Sequence, residues 1–487
     1  MESPDSSTIV LGAGYAGLSA AYELSKNSRP VIIVEKDKAA GGLAKTLQFG
    51  EFRTDVGPHR FFSQKKLLYS YVNNILKGRM LNVNRFTRFY VGDKSFLYPV
   101  DLVNVVSNLA PAKAVRIVID YACELIKRFF HNNKCVTLEE KLVADFGREL
   151  AGFNMLGYSE KIWGLPCSQI SADWARQRIR GVSLFGVLKN MLSGSKVAAG
   201  SFVSQFCYPE TGSGLVFDRM LEDKAIRDNA VLKTGSYPLS IIHEDNAIRK
   251  IFLRTPEKDE ELSCRGSIIS SIPITTLVRL LSPDAPPAVL AAASRLRFRS
   301  HVSLFVTLNK PSVFREQWIY FPDKQIPFGR IMEPKNFSIK MSPEGKTSLL
   351  IEFFCWENDP TWNADKKELF EMSIVWLEKY GFIGRGEVIE TFVHREKYAY
   401  PVYDLMYADN LKVVKAYLAG FKNLICVGRS GLFRYNNQDH ALEMGIRAAM
   451  RIISGKKDDI EAVSAERQYF ESGMTESIWK GGQNGKC

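Results

Sequence analysis

At 487 residues, 46% of them hydrophobic and 24% charged, the chain has the composition of a folded water-soluble protein of two or three domains. Lysine and arginine number 65 against 53 acids, a formal charge of +12, but no dense basic run or nucleic-acid module gathers it; the surplus fits a basic surface or an anionic small molecule and gives no case for nucleic acid. No apolar run reaches the roughly 18 residues that span a bilayer, and residues 1–7 are too polar and acidic for a secretory signal.

Ile9, Val10 and Leu11 form an apolar run that predicts a buried parallel strand. Gly12, Gly14 and Gly17 follow, and residues 18–24 continue with helical spacing. Glycines at these positions permit a tight turn, close approach of backbone to a pyrophosphate and tight helix–strand packing. The helix start then directs free N–H groups at the phosphates. A second apolar run, Val31–Val34, ends in Glu35, spaced to accept hydrogen bonds from a ribose diol. Strand, glycines, helix, strand and acid in this order mark a dinucleotide site.

Residues 63–200 read as mainly helical, with spacing near 3.6 over 138–150 and 184–191. The stretch 96–130 is apolar but broken by Pro99, Asp101, Pro111, Lys113 and Arg116. It is expected to form two amphipathic helices that face the core; helices touching a membrane are the other reading of the pattern. Alternation then predicts strands at 241–242, 248–254, 267–272, 302–308, 318–321 and 348–354. A helix is expected over 366–380, a buried strand over 424–427 and a helix over 441–453. Eight scattered cysteines without a C-x-x-C pair predict no disulfide and no metal site, and fit a reducing cytoplasm.

The chain thus opens and closes on strand–glycine–helix, which predicts a discontinuous nucleotide-binding domain from residues 1–62, 210–285 and 420–455. The intervening parts are a mainly helical insertion (63–205) and an antiparallel-sheet substrate domain (286–419), and 456–487 is a polar tail.

After Glu35, the run Gly41-Gly42-Leu43-Ala44-Lys45 resembles the extended fingerprint of glutathione-reductase-like FAD proteins. Asp55-Val56-Gly57-Pro58-His59-Arg60 is similar to the D-x-G-x-H loop of the branch holding amine oxidases, protoporphyrinogen oxidases, carotenoid desaturases and UDP-galactopyranose mutases. Tyr208-Pro209-Glu210-Thr211-Gly212-Ser213-Gly214 resembles that branch's Y-P-x-x-G-x-G loop, expected to approach a planar ring or phosphate. The resemblance implies an α/β fold with a Rossmann-like FAD-binding domain. It implies FAD contacts from Gly12, Gly14, Ala16, Gly17, Glu35, Lys36, Gly41, Gly42, Leu43, Gly57, Pro58, His59, Gly428, Arg429, Asn437 and Gln438.

Within the branch, Gly428-Arg429-Ser430-Gly431 through Tyr435 and Asn437-Gln438-Asp439-His440 resembles the closing motif of the mutases. Tyr158-Ser159-Glu160-Lys161-Ile162-Trp163-Gly164 is similar to their Y-T-x-K-Q-W-G. The likeness implies a pyrophosphate grip by Arg178 and Arg330, a role for His59 beside the flavin, and substrate contacts from Tyr158, Trp163, Tyr320, Tyr400 and Tyr435. It implies a redox-neutral ring contraction of a nucleotide diphosphate sugar for glycan assembly, with N5 of reduced FAD as the nucleophile. Two convergent guanidiniums with tyrosine hydroxyls suit a diphosphate. Ser159 and Ile162 depart from the bacterial pattern and the tract 434–437 is shorter than in eukaryotic members, which leaves nucleotide and sugar open. An FAD-dependent oxidoreductase is the alternative.

Overall fold

Five short aliphatic segments pair in parallel, in the order Leu424–Cys426, Ile268–Ser270, Thr8–Leu11, Val31–Val34 and Ala230–Lys233. Continuous runs of branched residues suit strands covered on both faces, and Val10, Leu11, Ile33 and Ile268 are fully buried. Register sets Ile9 between Ile32 and Ile268. Helices Tyr15–Lys26 and Gln438–Ser454 share one apolar cluster with this sheet. The structure, a computed structural model, describes residues 7–63, 65–98, 111–130, 135–178, 205–456 and 459–463. The fold is α/β, a parallel sheet joined to further, largely antiparallel sheets.

The largest sheet has seven strands, in the order Val388–Pro401, Phe298–Leu308, Thr347–Cys355, Arg330–Met332, Trp318–Tyr320, Thr87–Val91 and Lys94–Tyr98. All neighbours run antiparallel except Trp318–Tyr320 and Thr87–Val91. Its register sets Tyr320 opposite Arg330, and Arg330 opposite Glu352. Tyr400 stands opposite Arg299. Three neighbouring strands thus deliver side chains to one spot.

Residues 63–205 contain more strand than their helical spacing suggests. Met80–Asn84 pairs with Gln205–Pro209, and Thr87–Val91 with Lys94–Tyr98. Within Thr87–Val91 the buried Thr87 and Phe89 alternate with Arg88, and Gly92-Asp93 makes the hairpin turn. Helix Leu138–Phe146 begins with a Thr137/Glu140 capping box and stops at Gly147, so the expected helix over 138–150 is broken there. Residues 184–191 lie outside the described residues.

Of the expected amphipathic pair, Phe96 is in a strand and residues 99–110 lie outside the described residues. The remainder is one helix, Pro111–Phe130. Ile117 and Tyr121 are buried against Leu138, Leu142 and Val143, while Val115, Val118, Ile119, Ile126 and Phe130 stay exposed. The core-facing expectation therefore holds for one side of this helix and fails for the other. Among the described residues no helix is long and apolar enough to cross a membrane.

Candidate functional site

Gly12 leaves the strand Thr8–Leu11 with φ +97°, and helix Tyr15–Lys26 begins without a side-chain cap. Its first N–H groups are available to an anion. A Cβ on Gly17 would stand 1.8 Å from the Gly12 carbonyl oxygen, so Gly17 is required for packing the helix on the turn. A Cβ on Gly42 would lie 3.2 Å from Gly14 Cα; two backbone loops therefore face each other at van der Waals distance, with no side chains between them. Glu35 is buried, its Oε2 accepting from the Ala13 N–H (2.7 Å) and its Oε1 from the Asp37 N–H (2.9 Å). Burial raises its pKa against the pull of those two donors. Each oxygen retains acceptor capacity for a diol.

A cavity of about 340 Å³ runs from Glu35 past Gly14 and Gly42 to His59, Arg429 and Gln438. Gly12, Ala16, Lys36, Gly41, Leu43, Gly428 and Asn437 also line it. Gly17, Gly57 and Pro58 do not: Gly17 sits behind the turn, and Gly57 packs on Glu352, whose Oε1 would be 3.0 Å from a Cβ there. The Tyr208–Gly214 loop is also absent from the lining, contrary to the expected approach to ring or phosphate. It grips Asp55 instead. The Tyr208 hydroxyl (3.0 Å) and Ser213 N–H (3.1 Å) donate to that carboxylate, as does Thr46 (2.5 Å), whose Oγ1 accepts from the Gly214 N–H. With no cation on it, the fully buried Asp55 is pushed up to about 6 by desolvation.

Behind the wall residues His59 and Arg429 stands an aromatic and cationic cluster, whose Arg330, Tyr158, Trp163, Tyr320, Tyr400 and Tyr435 are not themselves in the cavity lining. Arg330 makes a bidentate pair with the fully buried Glu352 through Nε and Nη2, and His301 Nε2 lies 3.0 Å from the same carboxylate. Arg330 holds Glu352 down at about 2 despite burial. Tyr320 lies beneath the Arg330 guanidinium (5.9 Å to the ring centre) and edge-on to Tyr158 (5.1 Å). Tyr400 and Tyr435 stack at 5.8 Å, Arg429 sits over both rings, and Trp163 meets both edge-on. His59 is half-buried and brought down to about 3, first by desolvation and then by Arg429, so it is a neutral imidazole. The structure thus gathers His59, Arg330, Tyr158, Trp163, Tyr320, Tyr400 and Tyr435 in one region. Arg178 ends helix Asp173–Arg178 and its side chain lies outside the described residues, but Trp174 of that helix touches Trp163.

Local structure explains these placements. A π-helical turn, Ala151–Met155, precedes helix Leu156–Trp163, which presents Tyr158 and Trp163. Lys161 anchors that helix by donating to the carbonyls of Phe321 (2.8 Å) and Asp323 (2.7 Å), and burial lowers its pKa to about 7. Sequence reasoning missed Ser236, Tyr237, Thr276 and Tyr398 in the cavity wall, and Glu352 and His301 behind Arg330.

Residues 15–453 match the family described as flavin containing amine oxidoreductase. The chain belongs to that family. Its residues fit FAD: acid, paired glycine loops and helix start would hold the nucleotide, and helix Gln438–Ser454 starts beside His59. Two buried polar atoms in this wall, Gln438 Nε2 and His59 Nδ1, have no hydrogen-bond partner, as expected of groups that meet a polar heterocycle. Like other flavin-containing amine oxidoreductases, the chain has solved structural relatives. It superposes on reduced UDP-galactopyranose mutase with a TM-score of 0.81 at 20% identity, over 96% of this chain and 100% of that one. Phytoene dehydrogenase of Streptomyces griseus is 43% identical over 58 residues, 12% of this chain and 11% of that protein. The 1-hydroxycarotenoid 3,4-desaturase of Flavobacterium sp. (strain P99-3) is 25% identical over 138 residues, 26% of this chain and 25% of that one. These alignments span only a small part of each carotenoid enzyme.

Proposed function

We propose that the protein is a flavin-dependent mutase that contracts the sugar ring of a nucleoside diphosphate sugar. The carrying observation is the cluster behind Arg429 and His59, where Arg330 and the Tyr158 hydroxyl adjoin the stacked Tyr400 and Tyr435. The Tyr158 hydroxyl is buried and lacks a hydrogen-bond partner, which suits a donor reserved for a phosphate oxygen. The whole-chain likeness to a reduced mutase supports the same reading.

In this reading Arg330 turns its unused N–H groups to the diphosphate while Glu352 fixes the plane of the guanidinium. Arg178 is the second guanidinium of the grip. The rings of Trp163, Tyr400 and Tyr435 exclude water and give the substrate an apolar border. His59, neutral, can donate or accept one hydrogen bond without adding charge. Reduced FAD, when bound, supplies the nucleophilic N5 for the anomeric carbon, and departure of the diphosphate is favoured by the cationic grip. The second reading, an FAD-dependent oxidoreductase, draws on the carotenoid desaturase similarity. Dithionite-reduced holoprotein incubated with UDP-galactopyranose or UDP-galactofuranose should interconvert them, with no turnover when oxidised. Inactivity on nucleotide sugars, together with hydrogen peroxide release from an amine or desaturation of a lipid, would overturn the mutase reading.

A further inference from the structure

The helix Pro111–Phe130 carries an exposed apolar face. Val115, Val118, Ile119, Ile126 and Phe130 are between 50% and 73% exposed. At 100° per residue they fall, with Ala122, into one solvent-facing arc of about 120°. The buried Ile117 and Tyr121 occupy the opposite side and tie the helix to the body of the protein. Monomeric soluble proteins seldom leave a continuous stripe of β-branched and aromatic side chains in water.

We propose that this helix lies in the surface of an anionic membrane, with the stripe in the acyl boundary. Charge selects that occupant. Arg116 and Lys127 flank the stripe along one edge, and Arg116 is exposed with no acid partner among the described residues. The acids sit farther round: Asp120 accepts from the Glu149 N–H (2.9 Å), and Glu124 binds Lys127 (2.7 Å). An apolar arc bordered by basic residues is the pattern of a helix lying in the bilayer interface, where lipid tails cover the arc and anionic headgroups meet the rim. The surplus of 12 positive charges over the whole chain acts in the same direction. The same apolar cluster that holds Ile117 and Tyr121 includes Trp163 and borders Tyr400 and Tyr435, so docking here would bring the candidate site within one helix layer of the bilayer.

The test is flotation of the full-length holoprotein with vesicles of phosphatidylcholine alone, or of phosphatidylcholine with phosphatidylglycerol. The protein should float only with the anionic vesicles, and added salt should release it. Val118→Ser with Ile119→Ser and Ile126→Ser should abolish flotation; these exposed positions leave the fold intact, which unchanged circular dichroism and FAD content verify. Arg116→Glu with Lys127→Glu should weaken partitioning at least about 30-fold, from two basic side chains at an anionic surface. The proposal fails if wild type floats with neither vesicle, or if the serine variant floats as well as wild type. It also fails if light scattering shows a wild-type dimer that the serine substitutions dissolve, since the stripe is then an interface between copies.

Discussion

Replacing Glu352 with glutamine removes a negative charge from a fully buried side chain that accepts two hydrogen bonds from Arg330. Shape is kept, but the guanidinium is left without its counter-ion in a desolvated site. The cost can be reached in two ways. The fall of the Glu352 pKa from 4.5 to about 2 corresponds to about 3 kcal/mol of preference for the charged form in the fold. Breaking a buried pair by neutralising one partner costs about 3–5 kcal/mol. Both place Glu352→Gln about 3–5 kcal/mol below wild type at pH 7, readable as a lower midpoint in urea denaturation of the holoprotein. Because the folded pKa is depressed, the stabilisation is complete above about 4.5 and lost as pH falls toward 2, so the two proteins should converge over that interval. UDP should stabilise the variant more than wild type, because a diphosphate then meets an arginine freed of its carboxylate. Equal urea midpoints at pH 7 would refute the account of the pair. A variant that is destabilised but indifferent to UDP would refute the diphosphate grip.

Two further outcomes concern residues packed behind the cavity wall. Gly17→Ala forces a methyl group to 1.8 Å from the Gly12 carbonyl oxygen; the turn must open, and the purified protein should lose most of its flavin absorbance along with about 1–3 kcal/mol or more of stability. Asp55 is an inverse case to Glu352, because burial without a cation raises its pKa from 3.8 to about 6. Its protonated form is the one favoured in the fold, so that contribution is present below 3.8 and lost as pH rises through 6. Asp55→Asn should therefore gain on wild type between pH 5 and pH 8, by about 1.5 kcal/mol in urea midpoints; a constant difference across that range would contradict the assignment.

The parts of this protein that were legible in sequence are those where local chemistry needs particular residues at short spacing. Gly12 through Glu35 predicts its own turn, helix and acid because the turn, the phosphate approach and the ribose contact lie within one unit. The strand at 87–91 was missed because Arg88 and Tyr90 are only half-exposed, so the period-two contrast is shallow, although Gly92-Asp93 is a hairpin signal. Ser236 and Tyr237 could not be seen at all. They follow Ala230–Lys233, and only the order of strands shows that this segment borders Val31–Val34 and hence the acid at its end. Glu352 was hidden for a similar reason: its partnership with Arg330 is a register position across two strands, separated by 22 residues. The outward face of 111–130 was not separable in sequence because an apolar period of 3.6 looks the same whether the face is covered or exposed.

The parallel sheet also sets a timetable for the growing chain. Thr8–Leu11 is flanked by Val31–Val34 and by Ile268–Ser270, and the latter pairs in turn with Leu424–Cys426. At roughly 5–20 residues per second, a ribosome needs about 20–80 s to pass from the first of these strands to the last. Until Ile268–Ser270 is made the glycine turn has no neighbour on its far side, and through the whole interval helix Gln438–Ser454, which supplies part of the cavity wall, has not been made. The cofactor pocket is therefore completed only when synthesis is nearly over, which makes flavin capture one of the last events of folding and a natural point at which shortage of cofactor would leave an unfinished core.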